Sequence, residues 1–348
     1  MTSISPWLRA ILRCPADGSE LADAENRLLC PHGHEFGVVE GVPVMLTENQ
    51  DETLWVRSAS LAAAREVGHG NRAPDELFLD TIGCTPEILA RLSASLADLD
   101  ALPAGVDPVA SSLVLATNGL LYKGLTGRLT RIPIPAISLP EGGGRILLDV
   151  GCSWGRWSIA GARRGYRAIG LDPSLGAVLA AKRLAERCAV QAAFVVGDAT
   201  ALPFSNRAFD AAFSYSVLQH FGSQALDQSL REMRRVLRED GRMLVQMANA
   251  LGVRSLYHQA RRRFAEGQLF DVRYRTPGEL LATFNRIFGD VSLAADCFLG
   301  LGVQSSDRDL LPLRNRLIVD LSEALKKLSV RIPWMRYCAD SVYLSHPQ

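Results

Sequence analysis

From Arg145 onward, short apolar runs alternate with helical patterns, and this alternation leaves few folds open. "RILLDV", "RAIGLD", "AAFVVGD", "FDAAFSYS" and "RMLVQMA" read as strands. Trp157–Arg164 and Leu175–Arg187 read as helices between them. Ser223 stands where it can cap a third helix, whose core stripe is Leu226, Leu230, Met233 and Leu237. Farther on, Thr276 and Glu279 bracket Pro277-Gly278 as a capping box. "VSLAADCFLG" and "DSVYLS" read as two last strands, with a helix over Asn315–Leu328 between them. Apolar strands that alternate with helices pair in parallel, in a sheet covered on both faces. The expected class is α/β: a doubly wound, mostly parallel seven-stranded sheet with a small N-terminal β ribbon.

The chain divides into three expected zones. Residues 1–48 hold short β-like runs around cysteine and histidine. Residues 49–140 read as a helical cover and linker, with an apolar stripe at Ile88, Leu89, Leu92, Leu96 and Leu99. Prolines and Gly142–Gly144 mark the boundary to the α/β domain at 141–348. With 348 residues, 48% of them hydrophobic, the chain can bury an ample core. A formal net charge of +1 gives no strong field toward nucleic acid or membrane. Seven scattered cysteines, an odd number, do not form a disulfide framework. With no leader pattern at the first residues, the expected compartment is the reducing cytoplasm. No apolar run reaches the ~18–20 residues of a membrane span, so no membrane partner is expected.

"DVGCSWGRW", residues 149–157, carries the chemistry and has two readings. Gly151-Cys152-Ser153-Trp154-Gly155 spells G-x-S-x-G, the nucleophile elbow of serine hydrolases. That reading needs an acid and a histidine later in the chain. Asp210 and His220 satisfy order alone, and an oxyanion loop of the HGGG kind is missing. The cofactor reading uses more residues. Gly151 and Gly155 allow a tight turn and close approach of a ligand. Asp172 ends the second strand, about 20 residues past the turn, where an acid bonds ribose hydroxyls. Asp198 ends the third strand, within reach of an adenine amino group.

In order and spacing, "LLDVGCSWGRW", "GLDPS", "VVGDATALPF", "FDAAFSYSVLQHF" and "REMRRVLREDGRMLV" resemble the motifs of class I S-adenosylmethionine-dependent methyltransferases. The resemblance covers roughly residues 118–298. It implies a Rossmann-like fold, S-adenosylmethionine as cofactor and methyl transfer as the reaction. Carried over position by position, it assigns Asp149, Gly151, Ser153 and Gly155 to the turn around the methionine part. Asp172 matches the ribose acid, and Asp198 with Ala199 matches the adenine pair. Ser214 and Tyr215 would line the sulfonium side. Tyr122, just before the first strand, is a candidate contact of a helix closing over the cofactor. The family's usual turn is D-x-G-x-G-x-G, and Ser153 replaces its middle glycine. His220, in "SYSVLQHF", matches the histidine that takes the acceptor's proton in similar small-molecule and sugar O-methyltransferases. A hydroxyl is a poor nucleophile until deprotonated, and a group with a pKa of ~6.5 suits that work.

"CPADGSEL…LLCPHGHEFGVVEGVPVML" resembles the zinc-ribbon segment of bacterial rRNA guanine methyltransferases. Cys14, Cys30 and His34 match its ligands, but Asp17 stands where cysteine is expected. Structural zinc sites prefer sulfur and nitrogen, so the expected metal content is none, with zinc the less favoured reading. Cys84, Cys152, Cys188, Cys297 and Cys338 lack ligand spacing and read as core. Residues 1–48 are not basic, and Arg261-Arg262-Arg263 is the one dense basic run. A small-molecule or sugar-type acceptor, methylated at a hydroxyl, therefore ranks above RNA. After the fifth strand, Arg254, Tyr257, His258 and Arg261 sit at helical spacings where the resemblance puts the acceptor pocket. The alternatives are an RNA base methyltransferase and a non-catalytic binding or activator module of the same fold.

Overall fold

The structure is a computed structural model that describes residues 4–48, 54–83, 107–117, 129–268, 270–300 and 304–346. Tyr122, Cys84 and the Ile88–Leu99 stripe lie outside the described residues. The chain opens with one helical turn, α1 (Pro6–Arg9), and four short strands, β1 (Ala22–Ala24), β2 (Arg27–Leu29), β3 (Glu35–Val39) and β4 (Val42–Met45). Helix α2 (Leu54–Gly68), a 3-10 turn (Leu79–Thr81) and α3 (Pro108–Thr117) follow. Next come β5 (Ile146–Val150), α4 (Arg156–Arg163), β6 (Arg167–Asp172), α5 (Leu175–Arg187), β7 (Ala192–Gly197) and β8 (Phe209–Tyr215). A 3-10 turn (Leu218–His220) leads to α6 (Ser223–Val236), β9 (Leu237–Ala248), α7 (Val253–Arg261), α8 (Pro277–Phe288) and β10 (Ser292–Cys297). Helix α9 (Leu313–Arg331) and β11 (Ser341–His346) close the chain.

The seven expected strands are contiguous, in the order β7-β6-β5-β8-β9-β11-β10. All neighbours pair in parallel except β11, which runs antiparallel to both β9 and β10. The four ribbon strands extend this sheet to eleven. The join is β4 against β7, in parallel, with Val44 beside Val196 and Met45 beside Gly197. Successive connections run from β5 to β6 and β7 on one side, and to β8 and β9 on the other. This reversal opens a crevice at the carboxyl ends of β5 and β8, the usual ligand position in such sheets.

Period-two alternation sends successive strand residues to opposite cores. Leu148 and Val150 pack with Leu226, Leu230 and Met233 of α6 and Phe284 of α8. On the other face, Leu147 packs with Trp157 and Ala160 of α4. Val178, Leu179 and Leu184 of α5 join Val109 and Val114 of α3 in a further cluster. Strands covered on both faces have to be nearly all apolar, as β5 and β7 are.

The predicted bounds of α5 and the capping box of Thr276 and Glu279 agree with the structure. Three expectations need correction. The N-cap of α6 is Gly222, not Ser223, because Gly222 is the last extended residue (φ −60°, ψ 168°) and Ser223 is already helical. Strand β9 starts at Leu237, ahead of the expected "RMLVQMA", so Leu237 opens the strand and is not part of the helix α6. Of the cysteines read as core, Cys152 and Cys297 are buried, but Cys188 is half-buried and Cys338 is exposed. Among the described residues, no helix is long and apolar enough to cross a membrane.

Candidate active site

The β5–α4 turn is a run of left-handed backbone. Gly151 has φ +77° and Gly155 φ +82°, and Ser153 between them has φ +46°. A Cβ on Gly151 would lie 2.3 Å from Val217 Cγ2, and one on Gly155 would lie 2.8 Å from Ala181 Cβ. Conformation and close packing therefore both require glycine at these two positions. Ser153 occupies a glycine's conformation, which costs an L-residue about 1–2 kcal/mol. Its N–H donates to Asp172 Oδ2 at 3.0 Å. Among the described residues, no histidine or acid accepts from its hydroxyl, as an elbow serine would need. Ser153→Gly should keep cofactor binding, and a fluorophosphonate should leave the protein unlabelled. Covalent labelling at Ser153 would restore the hydrolase reading.

Asp149 lies beneath this turn. It is 1% exposed, and its Oδ2 accepts from Ser158 Oγ at 2.6 Å. Burial pushes its carboxyl up to about 7, and nearby Asp172 adds to the rise against the Ser158 bond. Asp172 ends β6 and ties two elements together. Its Oδ2 holds the Ser153 N–H, and its Oδ1 accepts from the Ser174 N–H at 3.0 Å. Burial pushes Asp172 up to about 6, and those two backbone donors oppose the rise. Asp198, just past β7, accepts from Thr200 N and Oγ1 through Oδ1, at 2.8 and 2.6 Å. The Ala199 side chain is buried beside Leu202 and Phe204. Asp172 and Asp198 thus stand at the carboxyl ends of adjacent strands, in the order predicted for ribose and adenine.

The two residues expected along the sulfonium are turned inward. Ser214 is fully buried, and its hydroxyl donates to the Val150 carbonyl at 2.9 Å. Tyr215 faces the α4 side, with its ring 4.5 Å from that of Trp157. Its hydroxyl donates to Asp296 Oδ2 at 2.9 Å and accepts from Gln304 at 2.7 Å. Ser341 Oγ also donates to Asp296 Oδ2, at 2.9 Å. Both side chains therefore serve the buried core. Burial pushes both the Tyr215 phenol and the Asp296 carboxyl up.

His220 ends the 3-10 turn after β8. Its backbone is held on both sides: its N–H donates to the Val217 carbonyl at 3.0 Å, and Arg273 donates to its carbonyl. The ring lies against the backbone of Ser216, Phe270 and Asp271. Nδ1 is buried without a well-aligned hydrogen-bond partner among the described residues. Burial lowers the imidazole below its ordinary value, and the charge of Arg273 adds to this. The ring is therefore neutral at pH 7, the form a base requires. Val217, which presses on Gly151, belongs to the same turn, so the turn joins His220 to the glycine turn.

Helix α7 carries Arg254, Tyr257, His258 and Arg261 as expected. Its start is pinned where Asp340 Oδ1 accepts from Arg254 N and Ser255 N, at 2.7 and 2.9 Å. Of the arginine run, Arg262 donates to the Val272 carbonyl and lies over Tyr274, and Arg261 lies over Tyr257. A cavity of about 1990 Å³ between the ribbon, α2 and the loop after β7 is lined by Gly37, Leu46, Ala64, Thr200 and Ala201. None of Gly151, Asp172, Tyr215 and His220 lines it, so it lies apart from the glycine turn and from His220.

In the ribbon, Cys14, Asp17, Cys30 and His34 converge, with one ligand atom of each within 4.8 Å of the others. The hairpin register achieves this, with Cys30 N–H donating to the His34 carbonyl at 2.8 Å. Cys14 Sγ lies 3.4 Å from His34 Nδ1, and Cys30 Sγ lies 3.3 Å from Asp17 Oδ2. His34 Nδ1 is 3.4 Å from Asp17 Oδ2. Zinc held at ~2.3 Å by sulfur and ~2.0 Å by nitrogen or oxygen, in a tetrahedron, needs ligand separations of about 3.3–3.5 Å between such pairs. The donor set and its spacing fit that ion.

Residues 147–241 match the methyltransferase domain family. With the strand order and the glycine turn, this makes residues 147–241 a methyltransferase domain of the class I, S-adenosylmethionine-dependent kind. Over 132 residues the chain is 35% identical to a demethylmenaquinone methyltransferase of Renibacterium salmoninarum, covering 37% of this chain and 51% of that protein. The chain therefore spans about half the length of this curated relative. It is 35% identical over 111 residues to the tRNA (carboxymethyluridine(34)-5-O)-methyltransferase alkbh8 of Xenopus tropicalis, covering 31% of this chain and 16% of that protein. Among solved structures, a SAM-dependent methyltransferase from Archaeoglobus fulgidus matches at 16% identity and a TM-score of 0.41, over 60% of this chain and 88% of that one. Magnesium protoporphyrin IX methyltransferase from Synechocystis matches at 19% and 0.39, over 48% of this chain and 72% of that one.

Proposed function

We propose that the protein transfers the methyl group of S-adenosylmethionine to a hydroxyl of a small-molecule or sugar-type acceptor. The observation that carries the cofactor half is the glycine turn with Asp172 and Asp198 beside it, at adjacent strand ends. Gly151, Ser153 and Gly155 hold the methionine part, with Asp149 bracing the turn from below. Asp172 takes the ribose hydroxyls, and Asp198 with the Ala199 backbone takes the adenine. The carbon–sulfur bond of the sulfonium breaks as the carbon–oxygen bond forms, and the sulfur keeps the electron pair. The acceptor's proton passes to His220. The leaving group is already activated, so positioning supplies most of the acceleration, up to ~7–11 kcal/mol. Transfer of labelled methyl from the cofactor into a panel of hydroxylated small molecules tests this reading. Cofactor binding without transfer to any member of the panel would favour the non-catalytic module.

An RNA acceptor is a second reading, supported by the ribbon's likeness to a rRNA methyltransferase segment. It requires RNA binding that weakens steeply with salt.

Beside the metal-free expectation, the ribbon's donor geometry supports a proposal of one structural zinc on Cys14, Asp17, Cys30 and His34. With four protein ligands it would be a closed site that stabilises the ribbon. One equivalent of zinc should co-purify, and chelation or Cys30→Ser should lower the melting temperature by roughly 5 °C or more. Protein free of zinc with an unchanged melting temperature would return the ribbon to the metal-free reading.

A further inference from the structure

Helix α2 and the Leu79–Thr81 turn lie outside the methyltransferase match, yet their polar side chains end on the cofactor crevice. Arg57 of α2 is 3% exposed. It donates to the Thr47 carbonyl at the end of the ribbon, and its Nε lies 3.3 Å from Asp198 Oδ2. The other Asp198 oxygen is taken by Thr200. One turn along, Ser60 Oγ donates to the Pro173 carbonyl at 2.8 Å and accepts from Leu175 N at 3.0 Å. Thr81 Oγ1 accepts from Gly176 N at 2.8 Å. The first N–H groups of a helix have no partner within it. In α5 two of them are satisfied by the N-terminal cover, beside the Ser174 cap that holds Ala177 N. Gly176 fits only because it lacks a side chain, since a Cβ there would lie 2.5 Å from the Phe78 carbonyl. The cover therefore grips both acids of the crevice: Asp198 directly, and Asp172 through the Pro173–Gly176 turn.

We propose that Arg57, Ser60 and Thr81 are positioning residues of the cofactor site, and that Arg57 sets its selectivity for adenine by fixing the Asp198 carboxylate. Ser60 and Thr81 fix the turn that presents Asp172 to the ribose. The inference rests on the S-adenosylmethionine reading, and the test separates the two.

Calorimetry on the full chain would compare S-adenosylhomocysteine with S-inosylhomocysteine, which carries a carbonyl in place of the 6-amino group. The wild type should prefer the adenine form by roughly tenfold or more, the scale of one hydrogen bond to a charged group. Arg57→Lys and Arg57→Ala should narrow that ratio by at least about threefold. A merely structural role would lower both affinities together and leave the ratio unchanged. Ser60→Ala, a smaller change that keeps Arg57, should weaken both ligands alike at an intact ratio. An unchanged ratio in both Arg57 variants, or full affinity in Ser60→Ala, overturns the inference and leaves the methyltransferase reading standing. A wild type that binds neither ligand overturns both. Melting temperatures without ligand check that each variant is folded. If neither Arg57 variant folds, Arg57→Gln, which keeps length and a donor without the charge, is read by the same ratio, and an unchanged ratio overturns the inference.

Discussion

His220→Ala should lower the rate of methyl transfer by ~10²–10⁴-fold, the usual contribution of a positioned base, while cofactor affinity stays nearly unchanged. The separation follows from placement. His220 ends the turn after β8, whereas Asp172 and Asp198 lie on β6 and past β7 on the other side of the crevice. His220→Gln keeps the size and some hydrogen bonding but cannot take a proton, so it should not rescue the rate. The pH profile gives a second check. Burial and Arg273 lower the imidazole, so the neutral base is already present below the ordinary histidine value of ~6.5. The wild-type rate should therefore rise with pH and level off below ~6.5. Near wild-type turnover by His220→Ala on the true acceptor would leave positioning alone as the mechanism.

Asp172→Ala should weaken binding of both S-adenosylmethionine and S-adenosylhomocysteine by roughly ten- to a hundredfold. A hydrogen bond to a charged group contributes about 1.5–3 kcal/mol, and each 1.4 kcal/mol is a factor of ten. The carboxylate also holds the N–H groups of Ser153 and Ser174, so the alanine loosens the turn as well. Asp172→Asn keeps one acceptor oxygen and should lose less. The pH dependence has a definite sign. Asp172 is pushed up to about 6, and below that value its carboxyl is increasingly protonated and a poorer acceptor. Cofactor affinity should therefore fall as pH drops through about 6. The stability of the unliganded protein runs the other way. Asp149 and Asp172 titrate at about 7 and about 6 when folded, above the unfolded value of ~3.9. Their contribution is fully present below ~4 and is lost as pH rises through those folded values. Affinity unaltered by both Asp172 substitutions would remove this residue from the site.

The α/β half was legible because its signals are local. Strand periodicity, the capping box at Thr276 and the glycine turn each depend on a few consecutive residues. The predicted α5 matches residue for residue, because Ser174 caps it and its apolar face is unbroken. Side-chain direction at a strand end was not legible. Ser214 and Tyr215 were placed at the right height in the sheet, but their commitments to Val150 and Asp296 depend on pairing across other strands. Arg57 carried no signal at all, since nothing near it in sequence refers to Asp198. The ribbon's geometry was hidden as well. Asp17 looked like a lost ligand, and only the hairpin register shows its carboxylate 3.3 Å from the Cys30 sulfur. The ribbon's junction with the sheet was equally hidden, because β4 is four residues long and finds its partner far along the chain.

Binding of S-adenosylmethionine in the crevice beside β5 is read directly by calorimetric titration of the wild-type chain with S-adenosylhomocysteine at pH 7.5 or above, where Asp172 is ionised. The expected result is saturable binding at one site per chain, weakened at least about tenfold by Asp172→Ala. No heat of binding, confirmed by an unshifted melting temperature at millimolar ligand, would contradict it.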